Sequence, residues 1–450
     1  MSDGSFHTQD VLIQSCKIVG EDGSPIDVKD LVVEFNYFED IFSNFVSGAL
    51  IINDSVGIVQ MFKFQGHEML ILSIDKPGLN KPLEKNLRIY THSNRTQTKT
   101  SNENFVLHFC SEEAILNEQY KVSKSYTDVK VLDIVKDITK TYLHIDDKHM
   151  KNLDETTGVV SKVVPNLKPL QAINWLTTIA QADQAKNSGS FYLFYEDKEG
   201  FNFKSVLNLY KESPFRKYRY EEKGLTQDND ISQDMSKEFV NVIGYEHINA
   251  FDSVSAVKSG AMANKTITID PVRLKFGEST YNYDEYSKKV QQLDKNTMPT
   301  SATNRKNDTI TDTHGVVKFC IATTGQNENK YIKDKGVQIN EHKPEETSSI
   351  RAAQLSLMWS NRIKIAVPGD IELTVGKVVE FDKQEISYNN PESKEKKSDP
   401  FYSGNYLISA VRHIISQENR FTTILELCKD SYPSNYGGFN NSDPGWKGVR

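Results

Sequence analysis

The stretch Asn361–Asp382, which reads NRIKIAVPGDIELTVGKVVEFD, decides the fold class of this chain. Within it, Ile363 and Ile365 alternate with Arg362 and Lys364. This period of two is typical of a β-strand that buries one face. The stretch therefore predicts part of the wall of an antiparallel β-barrel and carries no catalytic motif.

The middle of the same stretch predicts a tight turn followed by a second strand. Pro368, Gly369 and Asp370 have the residue types that turns require, which is a simpler explanation than a binding turn. The alternating residues 371–375 then predict a strand that Gly376 interrupts. We assign a structural role to Pro368, Gly369, Asp370 and Gly376. A bulky β-branched residue in place of Gly376 is expected to disturb the second barrel if the backbone φ there is positive.

Length, charge and cysteine usage limit the classes of protein that fit. A chain of 450 residues is too long for one core, so we expect several domains. The 54 Lys and Arg against 61 Asp and Glu give a net charge of −7, which argues against a protein that grips phosphate backbones. The four cysteines are Cys16, Cys110, Cys320 and Cys428, and they form no Cys-x-x-Cys pair. We therefore expect free thiols of a reducing compartment rather than a zinc site or a disulfide framework.

The sequence shows neither a secretion signal nor a membrane segment. Met1–Asp10 is polar and lacks the basic start and apolar stretch of a signal peptide. The longest apolar run, Phe45–Ile52, is interrupted by Ser47 and Gly48 and falls short of the roughly 20 residues that cross a bilayer. We expect no membrane span.

Changes in the spacing of apolar residues along the chain predict an α+β, mainly β, protein. We expect two antiparallel barrels and two further domains. Helical spacing appears from Val131 to Ile138 and from Leu170 to Ile179, and another helix is expected to start at Thr347 or Ser348. The boundaries we predict are 1–117 for the first barrel, 118–210 for a mixed α/β domain, 211–249 and 345–431 for the second barrel, 250–344 for an inserted domain with mobile loops, and 432–450 for a flexible C-terminal tail.

Local motifs for catalysis or metal binding are weak. His144 to His149 contains two histidines and two aspartates, but this spacing does not place both rings on one helical turn, so a solvated loop is the preferred interpretation. Trp175 lies at helical spacing and is expected in a core rather than on a sugar-binding surface. No phosphate loop, His-Glu-x-x-His or Gly-x-Ser-x-Gly occurs. We predict no catalytic residue, no cofactor, no metal and no enzymatic activity.

An aromatic and acidic cluster near the N-terminus has two interpretations of equal weight. Phe38, Glu39, Asp40 and Phe42 fall at the junction of a strand and a loop. Aromatic side chains beside acids suit a protein interface. They suit core packing equally well.

Several segments, in order along the chain, resemble the baseplate hub protein of contractile-tailed bacteriophages, whose fold is shared with type VI secretion spike proteins. The barrel stretch at 361–382 is the strongest of them. Val164–Leu176 is similar to the family's Pro-x-x-x-Pro entry into a helix with an Ala-Ile-Asn-Trp core. The remaining matches are Tyr37–Phe42, Val46–Ser55, Gly66–Glu68, Ser403–His413 and Leu425–Asp430.

This resemblance implies a structural protein of the virion tail baseplate, assembled in the host cytoplasm. It implies a homotrimer in which two related barrels per chain form a pseudo-sixfold ring, joining the sixfold tail tube to the threefold central spike. Expected partners are the tail tube protein, the central spike protein and other baseplate proteins, with transient passage of DNA during ejection. A lumen lined with carboxylates would let DNA slide without sticking.

Two alternatives from other classes remain open at this point. A carbohydrate-binding receptor module of the virion would expose aromatic platforms and bind host polysaccharide. A cell-wall hydrolase would need two placed carboxylates, and 61 acidic residues make any chosen pair uninformative. A hub would do neither and would instead trimerise.

Overall fold

The computed structural model describes residues 11–20, 23–62, 64–76, 82–99, 102–182, 191–220, 240–250, 252–271, 274–298, 300, 308–321, 344–384, 398–399, 401–417 and 420–433. Antiparallel strands dominate these residues, and helices occur in the middle of the chain and in the inserted region. The α+β, mainly β, fold class is confirmed. In this part of the chain, no helix is both long and apolar enough to cross a membrane.

The antiparallel strands of the N-terminal region surround a core to which residues of the C-terminal half also contribute. In β4 every second side chain is buried, including Leu50 and Ile52, because the strand presents one face to that core. The elements are β1 (Leu12–Val19), β2 (Pro25–Asp27), a 3₁₀ turn (Lys29–Leu31), β3 (Val32–Asp40), β4 (Ser47–Asp54), α1 (Ile58–Phe62), β5 (Met69–Asp75), β6 (Leu83–Lys99) and β7 (Asn102–Cys110).

A mixed region follows, and it contains the two helices that the spacing predicted. Ile134, Val135 and Ile138 are fully buried on one side of the first of them. The elements are α2 (Glu112–Gln119), β8 (Val122–Val129), α3 (Val131–Tyr142), β9 (Met150–Leu153), β10 (Val160–Leu167), α4 (Pro169–Thr177), β11 (Tyr192–Glu196), β12 (Phe201–Ser205) and α5 (Val206–Leu209). Strands β11 and β12 form the aromatic hairpin, with Phe194 opposite Phe203.

Two strands lead into the inserted region, which carries a three-stranded sheet in the order β16-β15-β17 with helix α8 packed on it. These strands show that a substantial part of the insertion is regular structure rather than loop, while residues 301–307 and 322–343 lie outside the described residues. The elements are β13 (Arg216–Tyr220), β14 (Gly244–Asn249), α6 (Ser253–Ser259), β15 (Ala263–Asp270), β16 (Lys275–Asn282), α7 (Tyr283–Ser287), β17 (Val316–Ile321) and α8 (Pro344–Met358).

The chain ends in four strands that join the N-terminal sheet: β18 (Asn361–Pro368), β19 (Val378–Lys383), β20 (Gly404–Ser416) and β21 (Phe421–Lys429). Together they form one thirteen-stranded sheet in the order β14-β18-β21-β20-β3-β4-β7-β6-β5-β1-β2, with β19 and β13 branching from β20. At the centre of this sheet, β3 pairs with β20 in antiparallel orientation, and we call this pair the seam. Glu34 lies opposite Ser416 at one end of the seam, and Asp40 lies opposite Ala410 at the other.

The second half of the quoted stretch corrects our prediction of a strand at 371–375. These residues form turns, since the Leu373 N–H donates to the Asp370 carbonyl and the Glu372 N–H donates to the Asp370 carboxylate. Their alternation has a different cause, because Ile371 packs in the N-terminal core while Leu373 and Val375 pack in the C-terminal core.

Two other boundaries also differ from the prediction. Helix α8 begins at Pro344 rather than at Thr347 or Ser348, since proline is well tolerated in the first turn of a helix. Tyr432, which we placed in a flexible tail, is fully buried, and its backbone pairs with Asn296 in both directions at 2.8 and 3.0 Å. Its ring belongs to the core of the inserted region, whereas residues 434–450 lie outside the described residues.

Candidate functional site at the sheet junction

Three of the four aromatic and acidic candidates lie on β3, at the seam between the two halves of the large sheet. Because the strand alternates, Phe38 is 36% exposed whereas Glu39 is only 2% exposed. The Arg412 guanidinium of β20 lies over the Phe38 ring, 5.5 Å from its centroid. The contact between Phe38 and Arg412 therefore joins the two halves of the sheet, and Phe38 reaches the surface whereas Glu39 does not.

The other two candidates shape the turn that follows β3. The Asp40 carboxylate accepts a hydrogen bond of 2.8 Å from the Phe42 N–H. The Phe42 ring then stacks on Trp359, with 5.0 Å between ring centroids. Since Trp359 follows helix α8, this stacking joins the N-terminal sheet to the inserted region.

Glu39 points into a buried polar cluster that no local motif in the sequence revealed. Its Oε2 accepts a hydrogen bond of 3.1 Å from the Val375 N–H, in the turn segment of the quoted stretch. Burial, reinforced by the negative charge of Asp197, raises the pKa of Glu39 from 4.5 to about 8. Glu39 therefore holds a proton at neutral pH.

The cluster also contains Glu113, Glu196 and Asp197, which lie around the ammonium group of Lys85. The Lys85 Nζ lies 2.9 Å from a Glu196 carboxylate oxygen and donates to the Asp197 carbonyl at 2.8 Å. The Val46 N–H and the Ser111 hydroxyl donate to the other Glu196 oxygen. The cluster thereby fastens the mixed region to the N-terminal sheet.

Two more carboxyl groups of the cluster titrate abnormally for the same reason. Burial, then the charge of Glu196, raises the pKa of Glu113 to about 7. Burial also raises the pKa of Asp197 above its ordinary value. Lys85 alone cannot neutralise all of these carboxylates, so protonation of Glu39 and of the half-buried Glu113 lowers the cost of placing them here. These partners lie far apart in sequence, which is why residue spacing could not identify them.

The predicted turn at Pro368, Gly369 and Asp370 packs against the last strand pair. The Gly369 N–H donates to the Phe421 carbonyl at 2.9 Å, and a Cβ built on Gly369 would lie 2.0 Å from a carbon of the Phe421 ring. Glycine is therefore required here by close approach of a neighbouring ring. Lys76, from the N-terminal half, donates to the Gly369 carbonyl.

Asp370 holds the turn in place through a backbone hydrogen bond and a carboxylate ion pair. Its backbone N–H donates to the Thr423 hydroxyl at 3.1 Å. Its carboxylate pairs with the Arg216 guanidinium at 3.1 Å, and the same guanidinium pairs with Glu372 at 2.9 Å. The turn is thus a structural joint that connects both halves of the sheet.

Gly376 has a positive φ of +83°, which is the condition under which we expected a bulky residue to be disruptive. A Cβ at this position would lie 2.3 Å from the Tyr195 hydroxyl, and the Gly376 N–H donates to the Ile408 carbonyl at 3.0 Å. The residue brings the turn segment against the aromatic hairpin of the mixed region. Both the backbone angle and the lack of space favour glycine.

The weaker chemical candidates do not come together in one site. Trp175 is half-buried and packs against the core of the mixed region. The Glu68 carboxylate accepts hydrogen bonds from neighbouring backbone N–H groups, including that of Gly66, and the His247 ring packs edge-on against Tyr402. Among the described residues, which include His144 and His149, no group of three potential metal ligands is found.

Solved structures share this fold over nearly the whole chain. A tail protein from Neisseria meningitidis MC58 has a TM-score of 0.52 at 10% sequence identity, covering 93% of this chain and 99% of that chain. The 43 kDa tail protein of prophage MuSo2 from Shewanella oneidensis has a TM-score of 0.52 at 7% identity, with the same coverage. At such low identity the likeness shows the fold alone, which is that of phage tail proteins.

A relative found by sequence similarity is more specific than these structural neighbours. The probable baseplate hub protein gp334 of Vibrio phage KVP40 is 22% identical over 414 residues, covering 90% of this chain and 91% of that protein. No protein-family profile matches the chain. The resemblance to baseplate hub proteins is thereby confirmed. It supports the interpretation of this chain as a structural protein of the phage tail baseplate.

Proposed function

We propose that this chain is a baseplate hub subunit and that three copies form a ring of pseudo-sixfold symmetry. The observation that carries the proposal is the β3–β20 seam, which fuses two strand-rich halves into one sheet. Ile371, Ile415 and Phe421 from the C-terminal half complete the core of the N-terminal half. Because the halves share a core, each chain presents two strand-rich units in a fixed relation.

Such a subunit suits the joining of two different symmetries. Two related barrels in each of three chains would offer six similar surfaces to a sixfold tail tube. The mixed region and the inserted region occur once per chain, so they would offer three surfaces to a threefold central spike. Closing the ring would also cover the outer strands β14 and β2, which end the large sheet.

The ring would leave a central channel through which DNA passes during ejection. The net charge of −7 supports a wall that repels phosphates and lets DNA slide. A channel wall that is neutral or basic in the assembled ring would contradict this part of the proposal. The function needs neither catalysis nor a cofactor, and we propose that the chain is not an enzyme.

We place the subunit in the virion tail baseplate, after assembly in the host cytoplasm, in contact with the tube protein, the spike protein and other baseplate proteins. The exposed Phe38 and the Phe42 turn remain candidates for contact with such a partner. The C-terminal segment is a second candidate for spike contact. Since Tyr432 is buried, a truncation should begin after Pro433, and it should weaken spike binding while leaving the ring intact.

The proposal is tested by native mass spectrometry of the purified chain, alone and with the tail tube protein of the same phage. We expect a complex of three chains that captures the tube protein. A chain that stays monomeric in both conditions, or that clears purified cell walls, would contradict the hub function. In the latter case the hydrolase alternative would replace it.

A further inference from the structure

The three-stranded sheet of the inserted region has one covered face and one exposed face. Helix α8 covers the first face, where the Thr266 hydroxyl hydrogen-bonds to the Ser349 hydroxyl. The Asn264 amide on the same face donates to the Gly260 carbonyl at 2.8 Å. Every inward side chain of β15 from Asn264 to Asp270 is polar and no more than 1% exposed.

The opposite face of the same sheet is apolar and exposed. Ile269 is 43% exposed, Phe319 is 71% exposed and Ile321 is 78% exposed. Strand register makes them neighbours, since Ile269 pairs with Phe276 on one side and with Ile321 on the other, while Ile267 pairs with Phe319. We call Ile267, Ile269, Phe276, Val317, Phe319 and Ile321 the outer face.

This arrangement inverts the usual order of a half-covered sheet, in which apolar side chains pack inward and polar ones face water. Two of the covered polar side chains, Asn264 and Thr266, hydrogen-bond to the helix region, so that face already has a packing partner. Large apolar patches on an otherwise polar surface mark sites of protein contact. The outer face is therefore suited to burial against another protein surface.

The size of the outer face limits what can cover it. Three strands of about six residues span roughly 14 by 20 Å, or about 300 Å². Two copies packed through this face alone would bury about 600 Å² in total, whereas a stable isolated interface needs about 1,000 Å² or more. The face therefore suits a contact inside an assembly that other surfaces already hold together.

We propose that the outer face packs against the neighbouring copy of this chain within the hub trimer. The proposal rests on the proposed function, because a ring of three copies places neighbouring copies beside each chain without any further protein. The small area fits this secondary contact and argues against a free dimer. The Lys265–Glu278 ion pair at one end of the face gives the contact a polar boundary.

The test compares the full-length protein with Phe319→Glu and with the control Val254→Glu. Val254 is 76% exposed on α6, which packs with α8 on the covered side of the sheet. Sedimentation velocity over a concentration series would measure the trimer midpoint. We expect Phe319→Glu to raise that midpoint by at least about tenfold, since burying one large apolar side chain is worth that much in association. The control should leave it unchanged.

Hydroxyl-radical footprinting supplies the second measurement, with Phe276 as the reporter in the unaltered protein. Protection of Phe276 in the trimer but not after dilution to monomers supports the proposal. Equal oxidation in both states, with a normal trimer of Phe319→Glu, overturns it and leaves the face for a spike or other baseplate protein. Protection already present in the monomer also overturns it, because the chain would then cover the face itself. If no trimer forms even with the tube protein, the proposed function fails first and this contact fails with it.

Discussion

The large sheet and the small inserted sheet place apolar side chains on opposite sides. In β21 of the large sheet, Phe421 and Leu425 are buried while Glu426 is only half-buried. In β15 of the small sheet, Thr266 is buried while Ile269 is exposed. Both strands show the same period of two. Alternation in these two strands does not indicate which side is buried, because the surface that covers each strand decides it.

Among single substitutions at a fixed pH, the largest loss of stability should come from the joint of the large sheet. Gly369→Val would push a side chain into the Phe421 ring, where even a Cβ lies 2.0 Å from a ring carbon. Overpacking at a fixed ring should lower the free energy of unfolding by about 3 kcal/mol. Thermal unfolding measures this, with Gly315→Val as the control, because a Cβ at Gly315 meets nothing within 4 Å. Equal midpoints for the two variants would disprove the account of the joint.

A somewhat smaller effect is expected at Gly376. The positive φ of +83° alone should cost Gly376→Val about 1–2 kcal/mol, and contact with the Tyr195 hydroxyl adds to it. Denaturant unfolding of Gly376→Ala with and without Tyr195→Phe separates the two causes. We expect Tyr195→Phe to recover part of the loss. An unaltered stability of Gly376→Val would remove the requirement for glycine here.

The buried carboxylates at the seam predict a dependence of stability on pH. Burial raises the pKa of Glu39 from 4.5 to about 8. Between these two pH values, Glu39 keeps its proton in the folded state but has lost it in the unfolded state. The free energy of unfolding should therefore fall as pH rises through this window, by up to about 1.4 kcal/mol per pH unit for each such proton. Glu113, whose pKa is raised to about 7, acts in the same direction.

Glu39→Gln tests this claim, because it keeps the shape and removes the titration. The variant should lose part of the decline between pH 5 and pH 8, as followed by denaturant unfolding at a series of pH values. Glu84→Gln on the exposed side of β6 should keep the whole decline. If Glu39→Gln and the unaltered protein decline in parallel, Glu39 does not carry the proton.

The smallest expected effect is on the polar face of the small sheet. Thr266→Val keeps the side-chain volume but removes the hydroxyl that pairs with Ser349, so it should destabilise by about 1 kcal/mol. Thr280→Val, at an exposed position of the same sheet, should change stability by less than about 0.5 kcal/mol. An increase in stability of Thr266→Val would mean that the polar face is not required and would weaken the contrast between the sheets.

Much of the fold follows from the sequence because strand and helix periods are local. The alternation around Ile363 and the helical spacing around Ile134 both correspond to elements of the structure. The same rule failed at 371–375, where alternating side chains enter two different cores from consecutive turns. A period of two in residue type therefore does not guarantee alternate burial, since Thr374 is buried between Leu373 and Val375.

The candidate site was less accessible to sequence reasoning. The sequence identified Gly369 and Gly376 because glycine and the residue types beside it indicate a turn or a strand break without any knowledge of distant contacts. The carboxylate cluster was missed because Lys85 and Glu196 are brought together only by the packing of the mixed region on the N-terminal sheet. The outer face was missed as well, because its alternation does not reveal which side a helix will cover.

The proposed assembly is a hub ring of three copies of this chain. Electron microscopy of the purified protein, with particles averaged without imposed symmetry, would show whether this ring forms. We expect a ring of three chains with a central opening and six similar lobes. Particles that stay monomeric, even after the tail tube protein is added, would contradict it and leave the fold without the assembly.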